Sequence, residues 1–516
     1  MTATVTIAGG GLAGFTAALR LAERGYGVKL YERAGILGGN LASRPAAAGL
    51  QLDVYPHMYL NWYRNFWALL GDVSDADRTQ LFRPLDGVKQ LAAGDYPRFT
   101  GLIDPYKPWM VPKNMFDGPE PPPDLYLFFY ASIDLMAERL NPTLLLDDVS
   151  VNGFLHSRPY MTERAAELFD NFIINVWGVP SYLVSAADYR DFLTYSAADP
   201  TPPFWLARGS AFTQVIEPLE RALTAAGVAI VRHTEVVGVS CSEGRVREIE
   251  LRDASGELRG EAVDELVLAV PPAALIRIAR SGPRGRRLVE AAPELAEISR
   301  LRAQPVPILY LFLKRRLHVP AEPVGLAGSR FGLAFTDISQ TWQGVPELAG
   351  RTVLALSASD PFGLPGTGDE DDAMAMLREL SGFLNVDAGG GWGGSPEIDW
   401  ELTRFASNHD TQLFVNETGS DVYRPPTDCR ELVNLSFAGD FTDNRIGMTT
   451  IESAVTSGLE VAQAIVARRG GRRVEITEPR ALPSALWLWL RYACMPYAAG
   501  ASVWSRLTTL MRRPQR

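Results

Sequence analysis

The amino-acid sequence predicts an α/β protein that begins with a Rossmann-like dinucleotide-binding unit. A glycine motif lies between a short strand and a helix near residue 10, and a second strand ends at an acidic residue near residue 32. The chain has 516 residues, which at about 100–200 residues per domain is enough for two or three folded units. The sequence therefore has room for another domain beside the nucleotide-binding one.

Composition excludes several classes of protein. Hydrophobic residues make up 47% of the chain, enough for a large core, and wholesale disorder is excluded. The formal net charge is −10 and no Lys/Arg-dense segment occurs, which argues against a nucleic-acid partner. Cys241, Cys429 and Cys494 are far apart, and they form neither a disulfide framework nor a CxxC metal site. We expect no metal and a cytoplasmic location, because no secretory signal or long apolar span is present.

The first forty residues follow the order strand, glycine motif, helix, strand. Residues 5–8 predict a buried strand, residues 15–24 a helix with one apolar side, and residues 28–32 a second strand. This order is that of the βαβ unit that binds dinucleotides. A glycine-rich turn without a ligand is the alternative, and the presence of both strands and the helix argues against it.

Gly9, Gly11 and Gly14 form the GxGxxG motif of this unit. Gly9 permits the tight turn, Gly11 lacks the side chain that would block a pyrophosphate, and Gly14 lets the helix pack close to the strand. The N-terminus of the helix adds free N–H groups and a partial positive charge. We therefore expect these three glycines to hold a diphosphate.

Glu32 ends the second strand, about 20 residues after the motif. A carboxylate at this point binds both hydroxyls of a ribose, and it repels a 2′-phosphate. NADP is therefore disfavoured, whereas FAD and NAD stay open on these residues alone.

The following segments resemble the FAD-dependent amine oxidase and carotenoid desaturase superfamily. A Gly-Gly pair follows the ribose-binding Glu in "YERAGILGGNLAS", and further matches are residues 234–239, "VDELVLAVPP" and the closing "NLSFAGDFTDNRIGMTTIESAV". Within the superfamily, "AGDFT", "YPHMYLNWYRNFWALLGDV" and "VWGVPSYLVSA" are most similar to plant- and cyanobacterial-type phytoene and ζ-carotene desaturases, with hydroxysqualene dehydroxylases nearby.

The resemblance implies FAD as cofactor and gives roles to further residues. It implies that Gly38 and Gly39 pass beside the flavin and that the backbone of Val236 contacts the adenine. The closing motif implies that Gly439 and Asp440 lie at the ribityl–diphosphate region. It also implies that the N–H of Ile451, which begins a helix, faces the flavin pyrimidine edge, where the positive helix end favours reduced flavin. For Asp440 a helix-capping role is the alternative.

The same resemblance implies a Rossmann-like FAD-binding domain with an inserted, interleaved substrate-binding domain of α+β character. The FAD-binding domain comprises residues 1–71, 204–280 and 421–468. The substrate-binding domain comprises residues 72–203, predicted to be mainly helical, and residues 281–420, in which "PVPILYLFLKR" and "TVLALSAS" predict strands.

The sequence departs from the desaturase pattern close to the expected flavin. Tyr55 and Asn61 stand at glycine positions, Ser453 replaces a usual glycine, and the closing motif has one extra residue before Glu452. His57 is the one candidate catalytic residue: it lies beside the reactive face of the flavin, or it is a hydrogen-bonded structural histidine. The flavin itself carries the chemistry, so a strong protein base is not required.

Two groups of aromatic residues have two interpretations. They line a tunnel for a polyene, or they belong to the ordinary core. Their members are Tyr55, Tyr59, Trp62, Tyr63, Phe66, Trp67, Tyr126, Phe128, Phe129 and Tyr130.

The C-terminal tail, residues 479–516, contains six arginines, no acidic residue and several tryptophans and tyrosines. Apolar aromatic residues with basic flanks are typical of a helix in an anionic membrane interface, here at the inner face of a membrane. The alternative is a helix that docks on its own body or on a partner subunit.

These observations predict an FAD-dependent oxidoreductase that takes a hydride from an allylic carbon of a long apolar, isoprenoid- or carotenoid-like substrate. The reaction forms or rearranges a C=C bond, and a membrane quinone or oxygen accepts the electrons. The alternative is a flavin amine oxidase that releases hydrogen peroxide. A flavin-using isomerase and a non-catalytic FAD-binding subunit also stay open.

Overall fold

The structure, a computed structural model, describes residues 4–103, 110–118, 120–140 and 145–512. Its strands, in chain order, are β1 (Thr4–Ala8), β2 (Gly27–Tyr31), β3 (Ser43–Pro45), β4 (Gln51–Asp53), β5 (Met58–Leu60), β6 (Phe82–Leu85), β7 (Gly87–Ala92), β8 (Thr100–Ile103), β9 (Phe204–Ala207), β10 (Ala229–Val231), β11 (Glu235–Ser242), β12 (Arg245–Arg252), β13 (Leu258–Ala262), β14 (Glu265–Leu268), β15 (Ala303–Gln304), β16 (Ile308–Leu313), β17 (Val324–Ala327), β18 (Leu333–Asp337), β19 (Thr352–Ala358), β20 (Arg404–Ala406), β21 (Leu413–Phe414) and β22 (Leu435–Phe437).

The α-helices, in chain order, are α1 (Leu12–Ala22), α2 (Arg64–Val73), α3 (Arg78–Leu81), α4 (Val111–Asp117), α5 (Pro122–Ala137), α6 (Val151–His156), α7 (Glu163–Trp177), α8 (Ala186–Ala198), α9 (Glu217–Ala225), α10 (Pro272–Ala279), α11 (Gly282–Ala291), α12 (Glu294–Glu297), α13 (Ile338–Thr341), α14 (Asp369–Ser381), α15 (Ile451–Arg469) and α16 (Ser484–Arg512). None of the helices in the described ranges has both the length and the hydropathy that crossing a bilayer requires.

A five-stranded parallel sheet forms the nucleotide-binding part. Its order is β10-β2-β1-β14-β22, and each neighbouring pair is parallel. The strands come from three distant parts of the sequence, within residues 1–71, 204–280 and 421–468. Apolar side chains of the central strand β1 are fully buried, as in parallel sheets covered on both faces. The predicted fold class, a Rossmann-like domain in an α/β protein, is confirmed.

A seven-stranded mixed sheet forms the second part. Its order is β20-β16-β19-β18-β17-β7-β8, and only the β17–β7 pair is parallel. Strands β7 and β8 lie within residues 72–203 and the other five within 281–420. The chain therefore alternates between the two sheets. The domain boundaries stay a prediction, and this distribution of strands supports them.

Residues 234–239 lie outside the parallel sheet. They lead into and form part of β11, which pairs with β12 and β13 in a separate antiparallel sheet. Its first residues still reach the nucleotide-binding part, because Thr234 donates its N–H to the carbonyl oxygen of Glu32 at 2.9 Å.

Helices α1 and α15 pack against each other beside the parallel sheet. A Cβ atom at Gly458 would lie 2.4 Å from the carbonyl oxygen of Ala13, so only glycine permits this approach. The two helices, which begin about 440 residues apart in the chain, thereby bring both ends of the nucleotide-binding part together.

The C-terminal tail docks on the body of the protein. Helix α16 packs along α5, and Ser505 donates a hydrogen bond of 2.6 Å from Oγ to Oδ1 of Asp124. This is the alternative considered for residues 479–516. Arg513 and Arg516 lie outside the described residues.

Candidate functional site

A cavity of about 450 Å³ lies where the carboxyl ends of β1, β2, β14 and β22 meet the first turn of α15 and the seven-stranded sheet. The carboxyl edge of a parallel sheet is where ligands of such folds bind. The structure brings ten of the eleven predicted site residues to this cavity: Gly9, Gly11, Glu32, Gly38, Gly39, His57, Val236, Gly439, Asp440 and Ile451.

Gly14 is the predicted site residue that does not line the cavity. A Cβ atom there would lie 2.1 Å from the carbonyl oxygen of Gly9. That Gly14 contacts a diphosphate stays a prediction, and its close contact with Gly9 supports its role in packing the helix close to the strand.

Gly9 and Gly11 differ in the space that a Cβ atom would have. A Cβ atom at Gly9, where φ is +107°, would lie 2.1 Å from the carbonyl oxygen of Ala269. At Gly11 the nearest protein atom to such a Cβ is the Cα of Gly39, 3.9 Å away. Gly11 therefore leaves space inside the cavity itself. It is also the N-cap residue of α1 and has no side chain to bond the first-turn N–H groups.

The Glu32 carboxylate is held in place by backbone N–H groups. Gly10 donates to Oε2 and Ala34 donates to Oε1, both at 2.8 Å. Each carboxylate oxygen has a further lone pair, so the side chain can accept additional hydrogen bonds from hydroxyl groups in the cavity. This arrangement fits a ribose diol.

The first turn of α15 points its N-terminus into the cavity. Thr450 is the N-cap, and its Oγ1 accepts a hydrogen bond of 3.0 Å from the N–H of Ser453. Ile451, at the first helical position, lines the cavity, and N–H groups of a first helical turn have no acceptor within the helix. Burial raises the pKa of the nearby Asp440 to about 6, and the positive charge of Arg424 partly opposes this.

Glu452 and Ser453, the second of which replaces a usual glycine of the family pattern, connect α15 to its surroundings. The fully buried Glu452 carboxylate accepts hydrogen bonds of 2.8 Å from the N–H groups of Asn65 and Phe66 in the first turn of α2. Ser453 Oγ accepts a hydrogen bond of 2.9 Å from Nδ2 of Asn444. Both residues therefore hold the helix in position behind the cavity.

His57 lines the cavity and is also hydrogen-bonded, so its two interpretations are combined. Its Nδ1 lies 2.8 Å from the carbonyl oxygen of Tyr55. A carbonyl can only accept, so Nδ1 carries the proton and Nε2 the lone pair. Burial lowers the pKa of His57 to about 4, although the bond to Tyr55 favours the protonated form. The ring is therefore neutral at pH 7.

A second wall of the cavity comes from α7, α8 and the seven-stranded sheet. The described residues of this wall carry no charge. They are Ile174, Asn175, Val176, Trp177, Gly178, Phe192, Val306, Ile308, Pro323, Ala334, Phe335, Thr336, Ala355, Ser357 and Ser359. Sequence reasoning found only residues 176–178, through the resemblance. The strand residues gave no signal, because an apolar side chain facing a cavity has the same pattern as one facing a core.

The aromatic groups divide between cavity and core. Tyr55 and Tyr63 line the cavity, whereas Tyr59, Trp62 and Phe66 are fully buried in the core, with Tyr59 and Phe66 stacked 5.4 Å apart. The core interpretation therefore holds for most of the first group.

Comparisons with known proteins agree with this geometry. A family model described as flavin containing amine oxidoreductase matches residues 12–466. The carotenoid phi-ring synthase of Streptomyces griseus is 28% identical, covering 93% of this chain and 91% of that protein. The 15-cis-phytoene desaturase of Synechococcus elongatus is 22% identical, covering 90% and 96%.

Solved structures share the fold at low identity. Cyclohexylamine oxidase from Brevibacterium oxydans is 14% identical, with a TM-score of 0.59, and the match covers 91% of this chain and 100% of that one. An oxidoreductase from Methanosarcina mazei is 15% identical, with a TM-score of 0.60, and the match covers 89% and 99%.

Proposed function

The chain belongs to the flavin containing amine oxidoreductase family, and on that premise we propose that it oxidises a long apolar, isoprenoid- or carotenoid-like substrate and forms or rearranges a C=C bond. The family resemblance predicted from the sequence is confirmed, and the protein is an FAD-dependent oxidoreductase. The substrate class is the part that is proposed.

The residues of the cavity fit FAD. Gly11 leaves space beside the first-turn N–H groups of α1, as a diphosphate requires, and Glu32 presents free lone pairs, as a ribose requires. We propose that these residues, with Gly9, Gly14, Gly38, Gly39, Val236, Gly439, Asp440 and Ile451, hold the cofactor, Gly14 by letting α1 pack close to β1. Bound flavin supplies a hydride acceptor.

The uncharged wall is the observation on which the proposed substrate depends. It is built from residues such as Trp177, Phe192 and Phe335, with a few neutral polar groups including Thr336 and Ser357. Such a surface binds a long hydrocarbon by burial of apolar area. The two curated relatives are named for activities on carotenoids, one for ring synthesis and one for phytoene desaturation.

His57 has a modest role in this proposal. When a hydride leaves one carbon, desaturation also removes a proton from its neighbour. In the neutral His57 ring, Nδ1 carries the proton and Nε2 is free to accept one. The pKa of about 4 makes Nε2 a weak proton acceptor. We therefore propose that His57 shapes the substrate site and accepts this proton, directly or through water. We propose a quinone or oxygen as the final electron acceptor.

The resemblance to flavin amine oxidases implies a lysine near the flavin and a pair of aromatic residues before the closing motif. Among the described lining residues there is no lysine, and three aromatic residues before that motif, Trp400, Phe405 and Phe414, lie outside the lining. The second wall also contains no carboxylate that would pair with an ammonium group.

The substrate is tested with purified holoenzyme under anaerobic conditions. Phytoene, ζ-carotene, a cyclic carotenoid and hydroxysqualene are added separately, and loss of oxidised-flavin absorbance and product formation are followed. We expect bleaching and product with at least one of them. Bleaching by a panel of amines, with release of hydrogen peroxide in air and no reaction with the isoprenoids, would establish the alternative.

Because isoprenoid substrates dissolve in lipid, we also propose a cytoplasmic enzyme that works peripherally at the inner face of a membrane.

A further inference from the structure

Helix α16 is fixed to the body through charged groups on one of its sides. The side chains of Asp134 and Glu138 on α5 are each 2% exposed. Arg491 of α16 pairs with both, at 2.8 Å from Oδ1 of Asp134 and 3.1 Å from Oε1 of Glu138. Arg158 pairs with the same two carboxylates, at 3.1 Å from Asp134 and 2.8 Å from Glu138. The orientation of α16 about its own axis is therefore determined.

The opposite side of α16 is an exposed apolar surface. We call it the outer face of α16 and define it by Trp489, Tyr492, Tyr497, Trp504, Leu507 and Leu510, each more than half exposed. These positions fall on one side of a helix, because their spacings follow its period of 3.6 residues. The helix has 29 residues, about 43 Å at 1.5 Å per residue. Contiguous apolar surfaces of this extent mark interaction sites.

The two arginine side chains of α16 that the structure describes lie away from the outer face. Arg491 points to α5, and Arg506 donates hydrogen bonds to the carbonyl oxygens of Pro159 and Met161, at 2.7 Å and 3.2 Å. Pro496 and Gly500 lie on the outer side between the aromatic residues and add no polar group.

The composition of the tail selects the kind of partner. Residues 479–516 contain six arginines and no acidic residue, in a chain whose net charge is −10. Arg491 and Arg506 are bonded to the body, so the basic flanks are, in the sequence, Arg480 before α16 and Arg512, Arg513 and Arg516 after its apolar part. Tryptophan and tyrosine are the residues that prefer the boundary between headgroups and acyl chains. A helix with one apolar side, aromatic anchors and basic flanks lies in the plane of that boundary. A bilayer with anionic headgroups therefore matches both the apolar surface and the charge.

We propose that the outer face of α16 inserts into the headgroup–acyl boundary of an anionic bilayer while its inner side stays docked on α5. The proposed lipid binding is argued from the surface of α16 and does not depend on the substrate. The further idea that the bilayer supplies the substrate rests on the proposed function.

The test uses full-length holoenzyme and vesicles of phosphatidylcholine, with or without phosphatidylglycerol, in a flotation assay. The variant carries Trp489→Ser and Trp504→Ser, and a matched control carries Phe362→Ser and Val422→Ser, which are exposed apolar residues outside the tail. We expect the wild type and the control to float with anionic vesicles, and the tail variant to bind at least about tenfold more weakly. Unchanged thermal unfolding of the tail variant shows that its fold is intact.

Three outcomes would overturn the proposal: no binding of the wild type to anionic vesicles, equal binding of the tail variant, or equal binding to pure phosphatidylcholine. Dimers that the tryptophan substitutions dissociate, without vesicle binding, would identify a second copy of the chain as the occupant. Activity on detergent-solubilised substrate separates the two proposals. If the protein binds vesicles but turns over none of the isoprenoids, the proposed lipid contact is supported and the proposed substrate class is wrong.

Discussion

The N–H of Gly38 donates a 2.7 Å hydrogen bond to the carbonyl oxygen of Gly10. This bond lays the second glycine motif against the first, and a Cβ atom at Gly39 would lie 3.3 Å from the Cα of Gly11. The φ angles of Gly38 and Gly39 are +114° and +59°, in the region that favours glycine. Two motifs almost thirty residues apart therefore form one wall of the cofactor cavity.

Gly11→Ala separates cofactor binding from folding. The new methyl group meets no protein atom closer than 3.9 Å. We therefore expect the free energy of unfolding of the apoprotein to lie within about 0.5 kcal/mol of the wild-type value. It enters the space proposed for the diphosphate, so affinity for FAD falls at least about tenfold, or about 1.4 kcal/mol. Titration of apoprotein with FAD, followed by flavin fluorescence, measures the change. If the variant bound FAD with the affinity of the wild type, the diphosphate would not lie beside Gly11.

Gly14→Ala has the opposite profile. Its methyl group would lie 2.1 Å from the carbonyl oxygen of Gly9, and α1 must move away from β1. We expect the free energy of unfolding of the apoprotein to fall by about 2 kcal/mol or more. The matched control is Gly71→Ala, at a position within α2 with open space, which we expect to be neutral or stabilising by up to about 1 kcal/mol. Denaturant unfolding of the three apoproteins distinguishes these values.

Ser357→Asp places a carboxylate on the uncharged wall. In the wild type, Ser357 lines the cavity, and its hydroxyl donates a hydrogen bond of 3.2 Å to the carbonyl oxygen of Ala334. We expect turnover of the apolar substrate to fall more than about tenfold, because the substrate would desolvate a charge, while flavin content stays unchanged. Ser357→Ala is the control and retains activity within about threefold. If the aspartate variant turns over the isoprenoid normally, the substrate does not bind at this wall.

His57 gives the stability of the protein a pH dependence. Its pKa is about 4 in the folded state and 6.5 when unperturbed, so between these values the unfolded state binds more protons. The free energy of unfolding therefore falls as pH decreases from 6.5 to about 4, by up to about 3 kcal/mol. In His57→Gln this contribution is absent. Denaturant unfolding of both proteins at several pH values measures it, and parallel curves would contradict a neutral buried histidine.

Arg491→Ala removes a cation that pairs with both Asp134 and Glu138. Two nearly buried carboxylates then lose part of their charge compensation, and we expect a loss of about 3 kcal/mol in the stability of α16 docking. Limited proteolysis reports it as faster cleavage of the tail. Arg480→Ala is the control, because this exposed side chain lies 3.8 Å from Asp199 and contributes little. Equal cleavage rates in the two variants would show that the ion pairs do not fix the helix.

Local sequence was sufficient for the nucleotide-binding elements. The strand before Gly9, the helix after Gly11 and the acidic end of the second strand each follow from short-range patterns, since turn geometry and helix packing impose residue type directly. The distant contributions of Val236, Asp440 and Ile451 were predicted only through the resemblance, because no local pattern states which strands share a sheet edge.

The sequence by itself therefore determined the dinucleotide motif, the alternation of apolar segments and the amphipathic, basic character of the tail. Tertiary structure decided which apolar residues face a cavity and which face the core, as Tyr63 and Trp62 show. It also decided that Gly14 packs against the backbone and that α16 turns Trp489, Tyr492, Tyr497 and Trp504 outward while Trp487 is buried. The physical reason is that burial and close approach depend on atoms brought from remote parts of the chain, whereas periodicity depends only on neighbours.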